Sequence, residues 1–346
     1  MQKFFSHIII ILAAMSAALS LTACAASLNS GYEADASNER CLVVASPHPV
    51  DFMRPLINEF ETETGIKVIL KRCGTSEAIE MMENGEVVDV LFGGSILSVG
   101  PYDDIFLPYR STNIDSFYEE YRDVGDGMIC FTDMPSILMV NTDLIGNISI
   151  NGYEDLLDPR LKGRIAYADP DRSSSSFEQL INMLYAMGDG DPEKGWDFEK
   201  EFVRQLDGKL LPGSSDVYNG VAEGEYIVGL TFEEAAITTM KSGRHVRIIY
   251  MKEGVVSTPD GIYINKNTKN PEDAEIFVDF MTSYDTQNVI SGNLGRRSVR
   301  TDVEPSGFVR DKSSLNIIEV DHQTVYEHKE EWIDKFLSLT REEGHE

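Results

Sequence analysis

The chain has 346 residues and a formal net charge of −28 at pH 7, from 58 acidic and 30 basic side chains. That balance excludes nucleic acid as a partner, because a phosphate backbone needs a basic face. It leaves a small anionic ligand open: salt screens distant charge over about 10 Å, so donors inside a cleft decide what binds there.

The chain opens with Lys3, an apolar run from Ile8 to Leu19, and Leu21-Thr22-Ala23-Cys24. A short apolar run ending in small residues reads as a secretory signal, too short for a good membrane span. Leu-Thr-Ala-Cys resembles the bacterial lipobox, which implies that Cys24 carries lipid and becomes the mature N-terminus. Residues 25–40 are polar and rich in Ser, Asn and Glu, as in a flexible tether. Three further cysteines, Cys41, Cys73 and Cys130, match no zinc or haem spacing and are expected as buried thiols.

The folded part starts near Cys41 with the strand CLVVA, then SPHPVD, then a helix carrying Phe52, Leu56, Ile57 and Phe60 up to Gly65. KVIL (67–70) is the next strand, CGTSE opens a helix that ends near Gly85, and VVDVLF (87–92) runs into Gly93-Gly94-Ser95. The long apolar stretch MICFTDMPSILMVNTDL reads as a strand pair passing to a second lobe. There GRIAYA (163–168) leads into four serines, Ser173 to Ser176, and a helix with Phe177, Leu180, Ile181 and Leu184 at helical spacing. Ser175 and Glu178 form an S-x-x-E capping box. A helix over 192–206, the strands KLL and YIVGL, a helix in TFEEAAITTMKSG and the strand HVRIIY complete that lobe. GIYINKN (261–267) reads as the return crossing. Helices near 274–281 and 286–291 close the first lobe, and Val325, Trp332, Phe336 and Leu339 mark a terminal helix. Strands alternating with helices predict parallel sheets covered by helices. Two such lobes joined by two crossings make a hinged clamshell, with the ligand beyond the carboxyl ends of the strands.

The loops at those strand ends carry the candidate ligand contacts. They are Ser46 and His48; Thr75 and Ser76; Ser95; Ser173, Ser175 and Ser176; and Ser214 and Ser215. Helix N-termini bind anions through free N–H groups and the helix dipole, and small hydroxyls add donors. Each loop alone also suits helix capping or a turn. His48 suits phosphate or metal equally. Glu233 is the candidate acceptor for sugar hydroxyls, and Arg172 is either an anion contact or a solvated charge. The chain lacks a P-loop, an H-E-x-x-H helix and a G-x-S-x-G elbow. No catalytic residue, cofactor or metal site is expected.

The words FETETGIKV, DVLFGGS, MVNTDL, YEDLLDPRLKGRIAYADP, GEYIVGLTFEEA, PDGIYINKNTKNPEDAEIFVDFM and GRRSVR, in this order, carry a family resemblance. The chain resembles the bacterial extracellular solute-binding proteins of ABC importers, in the branch of ferric-ion and hexose-phosphate binders. The resemblance implies an α/β fold of the periplasmic-binding-protein type II, two lobes with a hinge and an inter-lobe cleft. Where ferric binders carry a tyrosine pair, this chain has Thr231-Phe232-Glu233-Glu234. Glu233 corresponds best to an acidic residue of the hexose-phosphate branch. Ser173 and Ser175 match that family's ligand-facing Ser/Thr loop, and Gly74-Thr75-Ser76-Glu77 resembles its Gly-Gly-Thr-Gly-Glu loop.

The organisation expected is a signal peptide over 1–23, a tether over 24–40, a first lobe of 41–138 and 257–346, and a second lobe of 139–256. The function expected is capture of a small phosphorylated solute, a sugar phosphate, by a monomer lipid-anchored outside the cell membrane. Its partner is an ABC permease. Ferric iron or a phosphonate as ligand, and a sensor kinase as partner, stay open.

Overall fold

The computed structural model describes residues 40–125 and 127–343. The signal peptide, Cys24 and the tether up to residue 39 lie outside the described residues. Strand β1 (Cys41–Ser46) is followed by α1 (Val50–Thr64), β2 (Lys67–Arg72), α2 (Thr75–Glu83), β3 (Val90–Ser95), α3 (Ile96–Val99) and β4 (Phe106–Leu107). Helix α1 forms because Phe52, Met53, Leu56, Ile57 and Phe60 recur on one face and are buried. It stops at Gly65, whose left-handed φ of 71° suits a residue without Cβ.

Strand β5 (Ile129–Asn141) is the structural axis. The sequence suggested a strand pair there; it is one 13-residue strand. Up to Pro135 it pairs antiparallel with β9 (Ser257–Asn265), and from Ser136 onward with β7 (Val228–Phe232) and β8 (Val246–Ile249). One strand therefore leaves the first sheet and enters the second, and β9 runs beside it at the crossing. The first sheet runs β2-β1-β3-β9-β5, with β4 on β9 and β10 (Arg297–Ser298) on β5. In the second, β6 (Ile165–Ala166) pairs with β7. The expectation of parallel sheets holds for β1 with β2 and β3 and for β6 with β7, but β9 is antiparallel to both neighbours. A strand returning from the other lobe arrives with reversed direction.

The remaining helices are α4 (Ser174–Met187), α5 (Pro192–Leu206), α6 (Ser214–Glu223), α7 (Glu233–Lys241), α8 (Pro271–Met281), α9 (Tyr284–Val289) and α10 (His322–Glu343). The first lobe closes over Phe60, Phe92, Phe131 and Phe277, all fully buried, with ring centroids 4.8–5.5 Å apart. Each such side chain contributes about 1.5–3 kcal/mol by leaving water. The sequence grouped the terminal helix with the first lobe. Its packing is different: Phe336 meets Tyr167, Trp332 meets Tyr185 and Lys335 lies over Trp196, all in the second lobe. Only its start touches the first lobe, where the Tyr326 hydroxyl donates to the Ile96 carbonyl at 2.8 Å. None of the described helices is long and apolar enough to cross a membrane.

Candidate binding cleft

Five helices begin at the wall of one cavity of about 490 Å³. Pro47, His48 and Pro49 precede α1, Thr75 opens α2, Ser174 and Ser175 open α4, Ser214 and Ser215 open α6, and Glu234 and Ala235 open α7. Helices α2 and α6 start after glycine caps, Gly74 and Gly213, with no side chain bonded to their first turn. Amides of a first turn lack partners within their own helix, so α2 and α6 present donors to whatever enters. Two arginines on the wall, Arg72 at the end of β2 and Arg244 after α7, are exposed and have no described side-chain hydrogen bond or ion pair. They are cations available to a ligand.

The base of the cavity is a charged knot around Arg296, just before β10. Its Nε donates to Glu234 at 2.5 Å and its Nη1 to Asp260 at 2.8 Å, and its guanidinium lies 4.2 Å from the centroid of Phe52. Nη2 lies 3.2 Å from Nδ1 of His48. Arginine only donates, so Nδ1 is the acceptor. The other ring nitrogen lies 3.2 Å from Asp260. Burial alone would raise the Asp260 carboxyl; His48 and Arg296 outweigh it and hold it below its ordinary value. Gly93 makes room for this knot: a Cβ there would sit 2.5 Å from the His48 ring, and its φ of 114° disfavours any side chain. The amide of Gly94 donates to Asp260 at 2.7 Å.

Of the predicted contacts, His48, Thr75, Ser95, Ser175, Ser214 and Ser215 line this cavity. The others do not. Ser46 is fully buried; its hydroxyl donates to the Phe92 carbonyl and accepts from the His48 amide, so it shapes the loop instead. Ser76 is exposed on α2 away from the wall. Ser173 is the cap of α4, its oxygen accepting from the Ser176 amide at 3.3 Å. Ser176 is buried. Arg172 is exposed and off the wall.

Glu233 is the main correction. It is 2% exposed, and Arg297 donates to both its oxygens, at 2.8 and 2.7 Å, while Tyr250 also donates to it. Its lone pairs are committed, and its neighbour Glu234 faces the cavity instead. Successive helix residues point about 100° apart, so one step along EE separates a buried clamp from a cavity wall.

The expected capping box is also replaced. Because Ser173 caps α4, Glu178 lies beyond the first turn and is free to reach across the cleft. It accepts from the Ser95 hydroxyl of the first lobe at 2.6 Å. Burial pushes its carboxyl up to about 7; Asp260 adds to the rise, and the Ser95 bond and Lys329 oppose it. The sequence reading missed Arg72, Glu178, Arg244, Asp260 and Arg296. Glu178 had a usable signal, since it falls one turn below Ser174 and Ser175 on the same helix face.

The fold is shared with known proteins. Against solved structures, the chain is 29% identical to a two-component system protein described as mediating signal transduction, with a TM-score of 0.74 over 83% of this chain and 99% of that one. It superposes with a TM-score of 0.78 on the periplasmic binding protein AfuA from Actinobacillus pleuropneumoniae, described with exogenous fructose-6-phosphate bound, at 23% identity over 88% of this chain and 99% of that one. Iron uptake protein A1 of Synechocystis sp. is 25% identical over 69% of this chain and 70% of its own length. The architecture is thus that of a two-lobed periplasmic binding protein, which binds solutes without transforming them. The family model for bacterial extracellular solute-binding proteins matches residues 98–310, and the chain belongs to that family.

Proposed function

We propose that the protein captures a small phosphorylated solute, a sugar phosphate, and hands it to an ABC permease. The observation that carries this reading is the convergence of hydroxyl-bearing helix starts from both lobes on one cavity, with Arg72 and Arg244 uncommitted beside them. Phosphate is held well by such amides and hydroxyls, and arginine adds charge-assisted bonds. The wall carboxylates Glu234 and Asp260 are both paired to Arg296, which offsets part of their charge toward the guest. In this reading Cys24 carries the lipid anchor on the outer face of the membrane.

Ferric iron is less well served. Tyr218 is the single tyrosine on the described wall, and no described cluster of three His, Cys, Asp or Glu side chains is arranged to hold a metal. Sensing through a kinase is the second reading, favoured by the 29% identity to a signal-transduction protein. Co-purification with a permease or with a kinase separates the two.

A thermal-shift series tests the ligand class. Glucose 6-phosphate at a hundred times its Kd is expected to stabilise the folded protein by about 2.7 kcal/mol, while glucose leaves the Tm unchanged. Equal shifts from both sugars would remove phosphate as the anchor. Ser175→Ala combined with Arg72→Ala is expected to weaken glucose 6-phosphate binding by roughly 10–100-fold, from the loss of one charge-assisted and one neutral hydrogen bond. Ser176→Ala, whose hydroxyl is buried off the wall, is expected to leave binding unchanged in the same titration.

A further inference from the structure

We propose that Glu178 binds the guest as an uncharged carboxylic acid, donating its proton to a phosphate oxygen, so that capture above neutral pH takes up one proton. This rests on the phosphorylated-solute reading and adds a specific residue to it.

The geometry gives Glu178 this role. It sits on the cavity wall, 8% exposed, one turn below the serines that open α4. One carboxyl oxygen accepts from Ser95 at 2.6 Å, and no described hydrogen bond occupies the other. A carboxylate left ionised there would face a dianionic phosphate at short range in a poorly solvated cleft, where like charges repel strongly. The second buried carboxylate, Asp260, is held ionised by Arg296 and His48 and has no use for a proton. Glu178 has no cation bonded to it. The charged groups that act on it are Asp260 on β9, which disfavours ionisation, and Lys329 on α10, which favours it; α5, β5 and β7, also packed on α4, bring no charged group to it. Protonated, the same side chain turns from an acceptor into a donor and completes the ring of donors. Ser95 belongs to the first lobe and Glu178 to the second, so the titrating group lies on a contact that joins the lobes.

The sign is fixed by the free-state carboxyl, which burial pushes up to about 7. Below that pH the proton is already present and binding is indifferent to it. Above it, each unit of pH lowers affinity by about tenfold, because the proton must be taken from solvent.

Calorimetric titration of the full folded protein with glucose 6-phosphate, in two buffers of different ionisation enthalpy, tests this. At pH 8.5 the expected uptake is about one proton per ligand bound, and the Kd is expected to be roughly 25-fold weaker than at pH 6.5. Glu178→Gln is expected to abolish both the uptake and the pH dependence. Ser95→Ala gives an independent check, since losing the opposing hydrogen bond moves the onset of uptake to higher pH. Binding by the wild-type protein without proton uptake overturns the assignment, as does uptake that persists in Glu178→Gln or an onset unmoved in Ser95→Ala. If neither glucose 6-phosphate nor inorganic phosphate binds at either pH, the ligand reading itself fails and takes this proposal with it.

Discussion

Replacing Arg296 with alanine is expected to cost the folded protein about 3–5 kcal/mol, read in urea unfolding as a lower midpoint with an unchanged slope. The size follows from what remains. Arg296 is 4% exposed and is the cation paired with both Asp260, itself fully buried, and Glu234. Removing it leaves two carboxylates in a poorly solvated pocket, and the guanidinium also stops stacking on Phe52. Adding Asp260→Asn to that variant is expected to recover part of the loss, because the orphaned charge disappears while the shape is kept. A single variant as stable as the wild type would mean that water reaches these carboxylates freely. Glucose 6-phosphate binding is expected to fail in the single variant as well, since Asp260 would then repel the anion instead of being held by its partner.

Glu199→Gln is expected to stabilise the protein near neutral pH. Glu199, on α5, is fully buried and neither carboxyl oxygen has a hydrogen-bond partner. The adjacent tyrosine hydroxyls donate elsewhere, Tyr153 to Gln179 and Tyr167 to the Ser176 carbonyl. Burial therefore raises its carboxyl well above the ordinary range. Below about pH 4.3 the acid is protonated in folded and unfolded chains alike and costs nothing extra. As pH rises, the unfolded chain ionises and the folded one does not, so stability falls by about 1.4 kcal/mol per unit until the folded-state value is reached. Between pH 5 and pH 7 the wild type is expected to lose more stability than Glu199→Gln in paired urea unfolding curves. Glu178 contributes a slope of the same sign, but it is present in both proteins and cancels. Parallel curves would mean that Glu199 finds a partner or a route to solvent.

The helices were the most legible part of the sequence, because burial imposes a 3.6-residue period. The helix over 192–206 is found at those residues, and Phe52 to Phe60 line one face of α1 as their spacing required. The β5 stretch was recognised as a crossing but not as one strand, since an apolar run buried on both faces carries no alternation to mark its length or continuity. GRIAYA shrank to Ile165–Ala166, and Leu211 keeps only a single bridge to Ala168. The cleft was half legible. Hydroxyls at helix starts leave a local signature, and six of the eleven predicted contacts reach the wall. Arg296 and Asp260 leave none: they lie 36 positions apart and meet only because β9 and the segment before β10 both lie against β5. Choosing Glu234 over Glu233 needed the helix phase relative to Arg297, which no local window contains.

The terminal helix α10 carries a consequence for motion. Its body is fastened to α5 by Lys335 with Trp196 and Glu193, while its second turn is fastened to the opposite lobe by Tyr326 and Ile96. Any swing of one half against the other must therefore slide or snap that single hydroxyl–carbonyl bond, far from the solute. The amplitude of gape becomes adjustable from the rear of the molecule: Tyr326→Phe would slacken a tie-rod without altering one atom that a guest can touch.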